Sequence, residues 1–178
     1  MKTWIVLFLL AWASVGYANP DAPTGAVWND AAPASQAFLA AVTAFTEEPT
    51  EATYTAATNT WAELYTAWKA IAQEYDADPH QRNWTQWFAS VRIAEDDLES
   101  LITASRCPVP FTKHMIRMLS TDMQGIHTSR HLLSNHPQGL DGSAAMVNLF
   151  RDQPRRCAYL RSITEMLVEK IEQLHQQS

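Results

Sequence analysis

The sequence is poor in glycine, which it uses only five times in 178 residues. An all-β fold needs many tight turns and many β-branched residues, whereas this chain is rich in alanine, leucine, glutamate and glutamine, which favour helices. The composition therefore disfavours an all-β fold. It predicts an all-α protein.

The chain also lacks an apolar run long enough to span a membrane. Its longest run extends from Trp4 to Ala13 and follows a positive charge at Lys2. A membrane span needs about 20 apolar residues, whereas the apolar segment of a secretory signal peptide has this shorter length. Residues 1–18 are therefore predicted to be a signal peptide that directs the protein out of the cytoplasm.

Cysteine is scarce, and the positions of the two cysteines decide whether the exported chain can carry a lipid or form a disulfide. Small residues at Gly16 and Ala18 fit cleavage after Ala18, and neither Cys107 nor Cys157 can accept a lipid there. The mature protein is thus predicted to have no membrane anchor. In an oxidising compartment the two cysteines can form a disulfide, which would stabilise the fold by about 3 to 5 kcal/mol. Two buried free thiols are the alternative.

Positive charge is less abundant than negative charge. The chain has 13 Lys and Arg against 19 Asp and Glu, a formal net charge of −6 at pH 7, and removal of Lys2 with the signal peptide changes this to −7. Phosphate backbones and anionic lipids repel such a protein. We predict no nucleic-acid partner and no binding to a membrane surface.

The remaining chain divides into a short leader and a helical domain. Residues 19–34 contain three prolines and show no sustained helical period, so they are predicted to form an extended leader. Residues 35–176 are predicted to form a single bundle domain. Ser35 is the predicted N-cap of its first helix, in which Phe38, Val42 and Phe45 share one face.

The second helix has the clearest apolar period. Thr50 is its predicted N-cap, Asp76 is close to its predicted end, and Trp61 and Trp68 are predicted to lie in the core. The apolar period of the third helix begins at Phe88, and the helix is predicted to end near Ile102. Its four acidic residues are predicted to form a solvated face rather than a cation site, and they are Glu95, Asp96, Asp97 and Glu99.

Helices continue to the end of the chain. One helical segment or a pair of segments is predicted over 111–135, where Gly125 indicates a break or close packing. A short helix is predicted to begin at Asp141 or Ser143, and the last helix has Pro154 in its first turn. Four or five antiparallel helices joined by short loops form a helical bundle.

Two histidines within 111–135 form a candidate metal site. His127 and His131 are four residues apart, so on a helix they share one face and can bind one metal ion. Two ligands make a weak site. Asp122, His114 and the acidic residues of the third helix could supply further ligands. In the alternative interpretation the two histidines are hydrogen-bonded at the bundle surface or packed partly inside.

Three motifs in this chain resemble the imelysin-like proteins of bacterial periplasms and outer membranes. The family's GxHxxE motif and the apolar pair after it are matched in place by Gly125, His127, Leu132 and Leu133. The segment from Arg155 to Leu160 is similar to the arginine-rich start of the family's closing helix. The helix with Trp61 and Trp68 resembles the family's paired-tryptophan helix. Together the motifs cover most of residues 35–175.

The chain departs from the family pattern in two ways. Arg130 stands where the motif has its glutamate, so a permanent cation without a lone pair replaces a carboxylate that could bind a metal. The chain is also shorter than typical members, which have two helical bundles. The resemblance therefore implies a single-bundle member, and a homodimer could supply a second bundle by two-fold pairing.

The resemblance implies a periplasmic or secreted protein, with a role often tied to iron acquisition and a family label that began with a peptidase claim. A zinc peptidase of the HExxH type needs a glutamate base, and none stands in motif position near His127. We therefore predict a non-catalytic binding or accessory module for metal uptake, and a metallopeptidase is the alternative. Its partner would be a small ligand, a divalent or ferric metal ion, or another periplasmic protein.

Two versions of the site stay open at this point. Either a groove binds an anionic or polar ligand through Arg130, or a metal site is rebuilt on His127 and His131. A further alternative is a bundle that binds haem or copper through His114 or His127 and nearby methionines. The sequence has no CxxCH for covalent haem, and methionines at helical spacing more often fill cores.

Overall fold

The computed structural model describes residues 25–76, 92–104 and 111–176. These ranges form seven α-helices and no strand, which confirms the predicted all-α bundle. None of the helices in these ranges is both long enough and apolar enough to cross a membrane. The helices are α1 (Gly25–Glu47), α2 (Glu51–Asp76), α3 (Glu95–Thr103), α4 (Lys113–Arg117), α5 (Gly125–Ser134), α6 (Ser143–Asp152) and α7 (Pro154–His175), and a 3₁₀ helix (Thr121–Met123) precedes α5.

The core lies between the three long helices α1, α2 and α7. Helix α1 packs against both of the others, and each helix buries residues that recur every three or four positions. Trp61 and Trp68 lie in this core, as predicted. Among the side chains with no exposed surface are Phe38, Val42 and Phe45 of α1, Leu64 and Ile71 of α2, and Leu160, Leu167 and Ile171 of α7.

Two predicted helix starts are confirmed. At the start of α2 the Thr53 backbone N–H donates to Thr50 Oγ1 at 3.2 Å, and the Thr50 backbone N–H donates to Thr53 Oγ1 at 3.0 Å. This reciprocal pair satisfies backbone donors that the first turn of a helix leaves unpaired. Pro154 occupies the first turn of α7, where its missing N–H costs no helical hydrogen bond.

The predicted start of the first helix is wrong. Helix α1 begins at Gly25, so residues 25–34 are helical and not part of an extended leader. Pro33 lies inside the helix although it removes one backbone hydrogen bond. Ala31 and Ser35 are fully buried on either side of it, and burial of this turn offsets the loss. Ser35 does not cap the helix, because its hydroxyl donates to the Ala32 carbonyl at 2.8 Å.

The predicted number of four or five helices is too low, because the chain breaks more often than its apolar period indicates. Gly125 has a φ of 90°, in the left-handed region that favours glycine, and it separates the 3₁₀ helix from α5. The signal peptide (1–18), residues 19–24 and the expected beginning of the third helix before position 92 lie outside the described residues.

The structure does not show the predicted disulfide. Cys157 is half-buried, has no disulfide partner within the described residues, and donates from Sγ to the Phe150 carbonyl oxygen at 3.3 Å. Burial raises the pKa of this thiol, which opposes its reaction as a thiolate. Cys107 lies outside the described residues, so its pairing with Cys157 stays a prediction.

Candidate functional site

Helix α5 carries the family motif and is tied to α2 by two hydrogen bonds. The indole Nε1 of Trp61 donates to the Ile126 carbonyl at 3.0 Å, and the Tyr54 hydroxyl donates to the Leu133 carbonyl at 2.8 Å. One bond lies near each end of α5. These two hydrogen bonds set the position of α5 along the axis of α2, and with it the position of the motif side chains.

Five side chains of α2 and α5 form a cluster that we call the aromatic–cation site. The rings of Trp61 and Tyr65 are stacked, with centroids 4.9 Å apart and planes inclined by 15°. The Arg130 guanidinium carbon lies 5.3 Å from the centroid of Trp61, and the Lys69 ammonium lies 5.2 Å from that of Tyr65. His127 meets the Tyr65 ring edge-on at 5.5 Å. Two cations therefore lie over one stacked aromatic pair.

The cations of this site are open to a ligand. Arg130 and Lys69 are both exposed, and neither forms an ion pair within residues 25–76, 92–104 and 111–176. Arg130 is thus held by the Trp61 ring and not by a carboxylate. Its guanidinium can offer hydrogen-bond donors to an anion.

His127 adds a neutral polar group to the same site. Burial lowers the pKa of His127, and the positive charge of Arg130 lowers it further. The imidazole is therefore neutral near pH 7. Within the described part of the chain it makes no hydrogen bond, so its nitrogens are available to donate to or accept from a ligand.

His131 lies in a different environment from His127. Its Nδ1 is 2.9 Å from Asn135 Nδ2 and 3.6 Å from Glu95 Oε1, and its Nε2 is 3.8 Å from Glu99 Oε1. His131 is buried and faces α3, whereas His127 is half-buried and faces α2. Although the two imidazoles are at positions i and i+4 of one helix, they contact different residues.

The other predicted ligands are not gathered around the motif. His114 is exposed on α4, and the Asp122 carboxylate accepts a hydrogen bond from the Ser120 hydroxyl. Across the three described ranges, no group of three or more His, Cys, Asp or Glu side chains is arranged to hold a metal ion. A metal bound by the motif carboxylate does not fit this chain, because Arg130 supplies a cation there. The pair of His127 and His131 stays a prediction.

An ion cluster that the sequence pattern does not predict joins α3, α5 and α7. The fully buried Arg156 donates from Nη2 to Glu99 Oε2 and from Nε to Gln153 Oε1, the latter at 3.0 Å. Burial raises the pKa of Glu99, but the adjacent His131, at 3.8 Å, and Arg156, which donates a hydrogen bond, outweigh burial and hold that pKa below its ordinary value. The prediction that Glu99 belongs to a solvated face is therefore wrong, although Glu95, Asp96 and Asp97 are exposed.

The ion cluster reaches the surface at a cleft. This cleft has a volume of about 420 Å³ and lies between α3 and the connection from α5 to α6. Its titratable lining residues are Glu95, Asp96, Glu99, His131, His136 and Asp141. The cleft is separate from the aromatic–cation site, with which it shares no lining residue.

Arg155 shows that the arginine pair at the start of α7 has a structural role. It donates from Nε to the Ile102 carbonyl and from Nη2 to the Leu101 carbonyl, both at 3.0 Å, and its guanidinium lies 4.5 Å from the Phe111 ring centroid. These carbonyls belong to the last turn of α3, which has no helical donors for them. Arg155 and Arg156 together attach α3 to the bundle.

Comparison with known families agrees with this combination of fold and motifs. The family model described as Imelysin matches residues 25–178, which is most of the chain. Comparisons with curated proteins and with solved structures give no match. The matched range includes α2 with its tryptophans, the motif on α5 and the arginine pair of α7. The chain therefore belongs to the imelysin family.

Proposed function

We propose that this chain is a non-catalytic, exported binding module of the imelysin family, and that its ligand is anionic. The main support for the proposal is the environment of Arg130 at the motif position. Its guanidinium is exposed, rests over the Trp61 ring and has no carboxylate partner among the described residues. An exposed cation held on a ring is prepared to bind an anion with little loss of side-chain freedom.

The neighbouring groups suit the same ligand. A carboxylate can accept two parallel N–H bonds from the planar guanidinium of Arg130, which adds geometric specificity to the charge attraction. The imidazole of His127 lies beside Arg130 and is neutral, so it can donate one further hydrogen bond to the ligand. Tyr65, half-buried between them and Lys69, offers a ring edge and a hydroxyl.

The same geometry favours binding over peptide hydrolysis. A metallopeptidase needs a metal with an open coordination position and a glutamate that accepts a proton from water. In this chain no glutamate stands in motif position near His127, and the Arg130 guanidinium occupies the position of the family's carboxylate. Its charge would repel a metal ion at His127.

Export and a role in metal uptake are part of the proposal. Export is supported by the charged start and the short apolar run within residues 1–18. Metal uptake and an anionic ligand are compatible, because metal ions are often carried as negatively charged chelates. In this form the metal arrives within the ligand, and no protein group needs to coordinate it.

Calorimetric titration with citrate, with and without bound ferric ion, tests the proposal. Replacing Arg130→Gln removes one charge from an exposed side chain. We expect it to weaken binding of the anion by about tenfold or more, since a hydrogen bond to a charged group contributes about 1.5 to 3 kcal/mol. Arg151→Gln is the matched control, because Arg151 is an exposed arginine on α6. Its loss should leave binding unchanged.

A second variant separates the anionic ligand from the alternatives. Arg130→Glu restores the carboxylate of the family motif, so it should abolish binding of citrate and of ferric citrate. Equal affinities of wild-type and Arg130→Gln proteins would refute the proposal. Tight binding of Zn²⁺ alone by the wild-type protein, lost in a His127→Ala, His131→Ala variant, would instead support the rebuilt metal site.

A further inference from the structure

The aromatic–cation site contains a second cation, which the proposed function does not use. Resting on that function, we infer that the ligand is an elongated dianion with one negative group at Arg130 and another at Lys69. Arg130 comes from α5 and Lys69 from α2, so the packing of two helices brings together two charges that the sequence separates widely.

The spacing of the two cations follows from the ring stack. Trp61, Tyr65 and Lys69 are successive i and i+4 neighbours, so they form a row along the surface of α2. Arg130 lies 5.3 Å from the first ring centroid, the rings are 4.9 Å apart, and Lys69 lies 5.2 Å from the second. These three distances place the cations at most about 15 Å apart. Along α2 the row from Trp61 to Lys69 rises about 12 Å, at about 1.5 Å per residue, so an elongated ligand fits it better than a small anion does.

Charge and shape favour a ligand that spans the row. Neither cation has a carboxylate partner within the described residues, although the chain as a whole carries a net charge of −6. Because the rest of the protein is acidic, an anion is attracted to the two cations more than to other parts of the surface. Tyr65 lies between the charges and is half-buried, so its exposed part can contact an apolar spacer between the two anionic groups of a ligand.

Straight-chain dicarboxylates of increasing length test this inference against monocarboxylates of matched length. With wild-type protein we expect affinity to peak at one dicarboxylate length and to exceed that of the matched monocarboxylate by about tenfold or more. Lys69→Gln should reduce dicarboxylate affinity to about the value of the matched monocarboxylate. Both replaced side chains are exposed, so circular dichroism melts should match those of the wild-type protein.

The outcomes separate the inference from the function on which it rests. If Arg130→Gln weakens binding and Lys69→Gln does not, the site holds a single anion, and the dianion inference is wrong while the proposed function stands. If neither replacement weakens binding, both are wrong. A wild-type protein that shows no preference for any dicarboxylate over its matched monocarboxylate also overturns the inference.

Discussion

Arg130 and Arg156 are both permanent cations, yet the fold uses them in opposite ways. Arg130 is exposed over a tryptophan ring, whereas Arg156 is fully buried and donates to Glu99. The role of Arg130 could be predicted in part, because it departs from a short motif whose other positions match. The role of Arg156 could not, since its partner lies 57 positions away and only the packing of α3 on α7 brings them together.

His127 should make the stability of the protein depend on pH. Burial and the charge of Arg130 lower its pKa below the ordinary value of 6.5 in the folded protein. As the pH falls, the unfolded chain binds a proton at this histidine before the folded protein does. The contribution of neutral His127 to the free energy of unfolding is therefore fully present above pH 6.5. This contribution decreases as the pH falls through 6.5 toward the pKa of His127 in the folded protein. Urea unfolding at several values between pH 7.5 and pH 5 measures this decrease.

The His127→Gln variant should show a shallower decrease over the same range. His114→Gln provides the control, because it removes an exposed imidazole from α4. The range stops at pH 5 to avoid titration of Glu99, whose pKa lies below its ordinary value. Parallel pH profiles for the wild-type protein and His127→Gln would show that Arg130 and burial do not act on this histidine.

Helix α3 is attached to the bundle through α7. Arg155 of α7 donates hydrogen bonds to two carbonyls in the last turn of α3, and Arg156 of α7 binds Glu99 of α3. Breaking a buried ion pair from one side leaves an uncompensated charge, which costs about 3 to 5 kcal/mol. Glu99 is 21% exposed, and water can compensate part of its charge. We therefore expect Arg156→Met to lower the free energy of unfolding by about 3 kcal/mol, near the low end of that range.

A double variant identifies the cause of that loss. Adding Glu99→Met to Arg156→Met removes both charges and should recover much of the stability, since an apolar pair can replace a buried ion pair at little cost. Urea unfolding of the two single variants and the double variant completes a thermodynamic cycle. Strictly additive losses would show that the two side chains do not interact.

The long helices could be predicted from the sequence, whereas several of their boundaries could not. Apolar spacing and caps located α2 and α7, because their buried faces and their starts at Thr50 and Pro154 depend on local sequence. Pro33 misled the prediction for α1. A proline disfavours a helix locally, but here the burial of Ala31 and Ser35, a tertiary effect, decides the structure.

The candidate site shows the same division between local and tertiary information. The motif residues and the tryptophan helix were each recognisable in the sequence. An anionic or polar ligand at Arg130 was predicted as one of two versions of the site, and the anionic ligand stays a proposal. The contact between the motif and the tryptophan helix was not recognisable, because it depends on the Trp61 bond to the Ile126 carbonyl, 65 positions away. Lys69 was missed for this reason: without the stacked rings it is one exposed lysine among others.

Across the protein, α1, α2 and α7 share one core and should unfold together. Leu64 of α2 and Leu167 of α7 are both fully buried, so Leu64→Ala or Leu167→Ala should each lower the free energy of unfolding by about 3 kcal/mol. Leu140→Ala is the matched control, because Leu140 is 52% exposed and its truncation should cost little. Urea unfolding followed by circular dichroism and by tryptophan fluorescence measures these losses.

In both core variants the two probes should give coincident transitions, as expected for a single cooperative unit. Circular dichroism reports on all helices, whereas fluorescence is weighted toward tryptophans such as Trp61 and Trp68 of α2. If Leu167→Ala shifted the transition seen by circular dichroism and left the fluorescence transition in place, α7 would unfold independently of α2.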